Sequence, residues 1–257
     1  MRSLAEPILA AQNLACGFCE PLISGLDLTL SAGDAMAVLG PNAAGKTTLL
    51  RTLLGIVPPL AGVVRLAGRP VGEWPDQERA KQAAYVPQEL SSPEGYTVAE
   101  AVALGRYVWL PETSRTTAEK VTEALARADA THLANRRLTE LSGGEKRRVS
   151  IARALAQCAH VLVLDEPNAH LDFRHQAELA ELLTRLRGEG MALLVAAHDL
   201  DWAARLSPRA LVLADGRADL FDSLDAANDA GALAHAYGRS VVSVTDARGQ
   251  ARWLPER

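Results

Sequence analysis

Apolar positions first settle into a period at Leu26, Leu28 and Leu30, which alternate with polar neighbours as a half-buried strand does. The run "SAGD" at 31–34 turns the chain. Residues 36–39 are a short, continuous apolar run, read as a buried strand, that ends at Gly40. Beyond Gly45 the period lengthens: Leu49, Leu50, Leu53 and Leu54 recur at helical spacing until Gly55, Pro58 and Pro59 stop the helix. Residues 60–88 read as strands and turns with a short helix near 77–83. From about 89 to 141 the pattern is mainly helical, through "TVAEAVALGRY" and "TTAEKVTEALARADA", and reads as an inserted helical lobe. Ser142 opens another helix. Residues 161–164 form a second buried strand, 173–187 an amphipathic helix and 192–197 a third core strand. The tail "SVVSVTDARGQARWLP" reads as a hairpin turning near Arg248 and Gly249. Strands alternating with helices predict a mostly parallel sheet covered on both faces.

Composition narrows the class only slightly. The chain has 257 residues, 48% apolar and 23% charged, long for one compact domain and short for two. A net charge of −4 argues against a dedicated nucleic-acid binder, which carries a basic face. No stretch approaches the roughly 20 apolar residues that span a bilayer, and "MRSLAEPILAAQ" does not read as a signal peptide. Three cysteines, Cys16, Cys19 and Cys158, point to a reducing compartment. Cys16 and Cys19 have CxxC spacing but no second pair, so a zinc or redox site is the weaker alternative.

The strongest chemical signal is "GPNAAGKTT", Gly40, Pro41, Asn42, Ala43, Ala44, Gly45, Lys46, Thr47 and Thr48, set between a buried strand and a helix. A loop nearly bare of side chains lets consecutive backbone N–H groups approach phosphate oxygens, and the following helix adds its positive end. Lys46 supplies a charge for the β- and γ-phosphates, Thr47 a hydroxyl for Mg²⁺, and Thr48 a further phosphate contact. This predicts a nucleoside triphosphate without separating a kinase from a GTPase or a motor.

In "VLVLDEP" an apolar strand delivers Asp165 and Glu166 together at its C-terminal edge, where ligands gather in open α/β sheets. Asp165 is expected at Mg²⁺, and Glu166 is expected to orient and deprotonate an attacking water. A second glycine pair lies in "LSGGE". Ser142 caps a helix and Glu145 completes a capping box, yet a cap does not need Gly143 and Gly144. Bare amides at a helix start suit an anion. Because Lys46 already holds one triphosphate, the economical arrangement is a second copy, face to face, whose Ser142 loop closes over it.

In combination and order these motifs resemble the ATP-binding subunits of ABC transporters over nearly the whole chain. The glycine loop resembles Walker A, Gln88 in "YVPQE" the Q-loop glutamine, "LSGGE" the signature, and "VLVLDEP" Walker B with its catalytic glutamate. "NAHLD", ending at Asp172, resembles the D-loop, and His198 in "AAHDL" the switch histidine. Three departures stand out. Ala43 replaces a common glycine, Asn168 replaces the threonine after "DEP", and no tyrosine stands where the family stacks a ring on adenine. Phe18 is the candidate for that stacking, with a core or turn aromatic as the alternative.

The resemblance implies a P-loop NTPase fold: a mostly parallel α/β core over 1–88 and about 142–257 with an antiparallel β-subdomain, plus an α-helical subdomain over about 89–141, all one domain over 1–257. It implies ATP and Mg²⁺, with Thr47, Gln88 and Asp165 as metal ligands. Glu166, His198 and Gln88 would do the catalytic work, and Asp172 would reach across a dimer. Implied partners are a second copy, separate transmembrane permease subunits and a periplasmic or extracellular substrate-binding protein, with this chain peripheral on the cytoplasmic face of the plasma membrane. "AAYVPQE", "TVAEAVALGRY" and "HLDFRHQ" look most like subunits energising uptake of iron–siderophore complexes, haem or cobalamin. A permease is expected to dock at 89–109, around Tyr96, Tyr107 and Trp109, unless those rings simply pack the lobe. The alternatives are an exporter subunit, or a soluble ABC ATPase such as a cluster-assembly scaffold.

Overall fold

β1 (Leu9–Gly17) and β2 (Pro21–Leu30) pair antiparallel from Leu9 opposite Leu30, and Leu26, Leu28 and Leu30 turn inward as their alternation predicts. The computed structural model describes residues 6–89, 95–245 and 251–256. β3 (Ala35–Leu39) is buried throughout and passes through the glycine loop into α1 (Lys46–Leu53). β4 (Ala61–Leu66) and β5 (Arg69–Pro70) complete an antiparallel sheet of order β2-β1-β4-β5. α2 (Asp76–Gln82) leads into β6 (Ala83–Val86).

The predicted helical lobe contains α3 (Val98–Ala103), α4 (Ser114–Arg127) and short 3-10 turns. α5 (Gly143–Ala156), which the reading assigned to the core side of a boundary near 142, packs against α3 and α4 as well as β6. β7 (Val161–Asp165), α6 (Phe173–Gly188), β8 (Ala192–Ala196) and α7 (Leu200–Leu206) follow. Then come the hairpin β9 (Arg209–Ala214) and β10 (Arg217–Phe221), α8 (Leu224–Asp229), α9 (Ala232–Tyr237), and the strand pair β11 (Val241–Thr245) and β12 (Ala251–Pro255). The expected turn of that last pair, at Arg248 and Gly249, lies outside the described residues.

The main sheet runs β10-β9-β3-β8-β7-β6, parallel except for β10. Its central strands are apolar end to end because both faces are covered. The period-two alternation sorts side chains between two cores. Met36, Val38, Val163 and Leu194 face the antiparallel sheet and enclose Leu49, Leu50 and Leu53 of α1. Leu39, Leu164 and Val195 face away and join Val102, Leu125 and Ile151 of the helical lobe. The lobe thus shares a continuous core with the sheet, while α1 is held between two sheets. Of the lobe aromatics, Trp109 packs: its Nε1 donates to the Gln157 carbonyl at 2.8 Å, and Lys81 lies 4.7 Å from its ring centre. Tyr96 lies partly buried against the core, whereas Tyr107 is 73% exposed.

Candidate functional site

The segments that leave the carboxyl ends of β3, β6 and β7 meet at one cavity of about 380 Å³. Pro41, Asn42, Ala43, Gly45, Lys46, Thr47 and Thr48 line it with Gln88 and Glu166. Gly40 and Ala44 belong to the loop but not to that lining. Gly40 is required by packing, since a Cβ there would lie 2.8 Å from the Leu213 carbonyl oxygen. Gly45 starts α1 with φ 96 and no side-chain cap, which leaves the first amides of the helix to the cavity. Ala43 adopts φ 64. The methyl that departs from the common glycine therefore sits at a left-handed position, which costs an L-residue roughly 1–2 kcal/mol.

Lys46 is 5% exposed. Its Nζ donates to the carbonyls of Gly40 at 2.8 Å and Pro41 at 3.1 Å, and lies 3.4 Å from Glu166 Oε1. The Thr47 hydroxyl donates to Asp165 Oδ2 at 2.7 Å, and the Tyr85 hydroxyl donates to the same oxygen at 2.9 Å. Burial, reinforced by the Asp165 charge, pushes the Tyr85 phenol up to about 12, so it remains a donor at neutral pH. A hydroxyl and a carboxylate side by side form the oxygen-only donor set that hard Mg²⁺ prefers.

Glu166 follows the β7 edge at φ 44, its amide bonded to the Ala196 carbonyl at 3.1 Å. A left-handed glutamate is strained, and strain of this kind collects at functional sites. It stands between Lys46 and His198, whose Nδ1 is 4.0 Å from Glu166 Oε2. His198 is half-exposed just beyond β8. Asn168 is buried, and its Oδ1 has no hydrogen-bond partner among the described residues.

Three contributors escape the sequence reading. Tyr85 braces Asp165. Leu22 lines the cavity from the start of β2. The Gly40 amide donates to the Tyr237 hydroxyl at 3.2 Å, so α9 holds the start of the phosphate loop from 197 residues away. Tyr85 carried a signal, as the aromatic of an apolar strand ending beside Gln88. Tyr237 and Leu22 carried none.

A single chain does not bring the remaining candidates to this cavity. Ser142 caps α5 in a complete capping box: its Oγ accepts from the Glu145 amide at 3.3 Å, and its own amide donates to Glu145 Oε2 at 2.7 Å. Gly144 has a packing role, because a Cβ there would lie 2.5 Å from the His175 ring, whereas Gly143 faces open space. Asp172 caps α6, accepting from the His175 amide at 2.9 Å, and is exposed. Phe18 is 69% exposed in the turn after β1, so it is not a core ring, and it does not line the cavity. Cys16 is buried and Cys19 exposed, and among the described residues no cluster of three His, Cys, Asp or Glu could hold a metal.

Residues 23–169 match the protein family described as ABC transporter. Over 234 residues the chain is 41% identical to the hemin import ATP-binding protein HmuV of Pseudomonas putida, covering 88% of this chain and 91% of that one. Over 201 residues it is 41% identical to the cobalamin import ATP-binding protein BtuD of Halobacterium salinarum, covering 76% of this chain and 50% of that one. A solved ABC transporter of metal-chelate type, in an inward-facing conformation, aligns over 98% of both chains with a TM-score of 0.85 and 26% identity.

Proposed function

The chain belongs to the ABC transporter family, and on that premise we propose how its residues hydrolyse ATP to power import of a metal chelate of the hemin, cobalamin or iron–siderophore kind. It is an ATP-binding, ATP-hydrolysing transporter subunit. No helix among the described residues is long and apolar enough to cross a membrane. The transmembrane path is assigned to separate permease chains, with this subunit peripheral on the cytoplasmic face and a substrate-binding protein delivering cargo outside, a reading supported by relatives named as the ATP-binding proteins of importers. The relatives support import over export.

The loop amides and Lys46 bind the β- and γ-phosphates and draw charge from the bond that breaks. Thr47, Asp165 and Gln88 would hold Mg²⁺, which neutralises phosphate charge when bound. Glu166 accepts a proton from water as the water oxygen bonds to the γ-phosphorus and the bond to the bridging oxygen breaks, leaving ADP and phosphate. His198 hydrogen-bonds the γ-phosphate and keeps Glu166 and the water aligned. Ser142, Gly143, Gly144 and Asp172 serve the site of a second, facing copy, and Phe18 packs on adenine. The observation that carries this reading is the convergence of Lys46, Glu166 and the Thr47–Asp165 pair on one cavity.

Glu166→Gln keeps the size of the side chain and removes the base. Single-turnover hydrolysis is expected to slow by about 10²-fold or more, while ATP affinity stays within a few-fold of the parent. Parental hydrolysis by this variant would remove Glu166 from the role.

A further inference from the structure

Gln88 lines a second cavity as well, of about 260 Å³. One wall is a single face of α5, where Gly143, Lys146, Arg147 and Ser150 recur at helical spacing, and His170 stands across from it. Among the described residues, that wall holds a buried cation with no counter-ion and a buried hydroxyl with no partner. Arg147 is 8% exposed. It spends two donors on the carbonyls of Pro87 at 2.8 Å and Gln88 at 2.5 Å, out of the five a guanidinium carries. Among the described residues no carboxylate lies within ion-pair distance of it, and Asp165 acts on it only through its field. Ser150 is 2% exposed, and its Oγ has no hydrogen-bond partner among the described residues.

A buried cation without a counter-ion and a buried hydroxyl without a partner are both costly. One oxyanion satisfies both. Lys146 adds a second positive charge. Glu89 is the one acid in the lining. We propose that this cavity is a binding site for inorganic phosphate, held by Arg147, Lys146 and Ser150, and that it takes up the phosphate cleaved in the neighbouring cavity. The second half rests on the ATPase reading above. Gln88 is the residue common to the two linings, and the proposed route from Glu166 runs past it.

The same oxygens could come from a nucleotide, and the test separates the two sources. A non-hydrolysable ATP analogue is first titrated into the full chain without magnesium, which measures the nucleotide site alone. Inorganic phosphate is then titrated into the analogue-saturated chain by calorimetry. The expected result is one phosphate per chain, with affinity about tenfold weaker in Lys146→Ala and in Ser150→Ala, the loss of a charge-assisted hydrogen bond. Ser150→Ala removes a single atom and keeps the helix intact. Added phosphate is also expected to inhibit the parent ATPase more strongly than that of either variant. Absence of phosphate binding to the loaded chain, or equal affinity in parent and variants, overturns the site. A chain that fails to bind the analogue instead overturns the nucleotide reading.

Discussion

Two backbone angles record what the site demands of single residues. Glu166 and Ala43 both lie at positive φ, 44 and 64, where side chains other than glycine are strained. For Glu166 the strain aims a carboxylate between Lys46 and His198. Ala43 has only a methyl to aim, so its angle positions no charged or hydrogen-bonding group. Ala43→Gly should relieve roughly 1–2 kcal/mol in the folded loop, less the freedom glycine adds to the unfolded chain, roughly 0.4–1 kcal/mol. The net is a rise in the Tm of the nucleotide-free protein of about 1–3 °C, read by calorimetry. A fall in Tm would show that the methyl stabilises the loop by packing. The loop residues that line the cavity, from Pro41 to Thr48, were legible in the sequence because they sit in one contiguous motif. Tyr237 was not, because its bond to Gly40 joins segments that share no local pattern.

At the scale of elements, helices and strands declared themselves where local signals agreed. β3, β7 and β8 are uninterrupted apolar runs, and α5 begins with Ser142 and Glu145 in capping positions. β1 was missed because register shifts between Ala11 and Leu14 and beyond, with Asn13 at φ 46, break its alternation. The β9–β10 hairpin did carry a signal, the Asp215-Gly216 pair with φ 45 and 78, a dipeptide that favours two-residue turns. Close approach of elements explains two further glycines. A Cβ on Gly105 would lie 2.2 Å from the Arg153 carbonyl oxygen of α5, a backbone atom that cannot rotate away. Gly105→Ala should cost about 1–3 kcal/mol and lower Tm by several degrees. For Gly144→Ala the three atoms nearest the new methyl all belong to the His175 ring, a side chain that can move. Its loss should be smaller and should vanish in a His175→Ala background, a coupling that a double-mutant cycle reads out. Undiminished loss in that background would show that the His175 ring is not what excludes a side chain at Gly144.

For the molecule as a whole, the glycine-bearing starts of α1 and α5 do not share a cavity. The proposed facing pair resolves this, because a twofold partner presents the same two surfaces in reverse. Lys46→Ala and Ser142→Arg chains, each inactive alone, should therefore complement when mixed. A heterodimer contains one site with both Lys46 and Ser142 intact, so random pairing restores up to about a quarter of the parental rate. Mixtures as inactive as their components would sink the facing arrangement.

The bond between the Gly40 amide and the Tyr237 hydroxyl joins residues 197 positions apart. During synthesis the phosphate loop leaves the ribosome long before its brace does. ATP encountered by a nascent chain meets a loop without that anchor, and the site gains it only once Tyr237 has been made and α9 has docked.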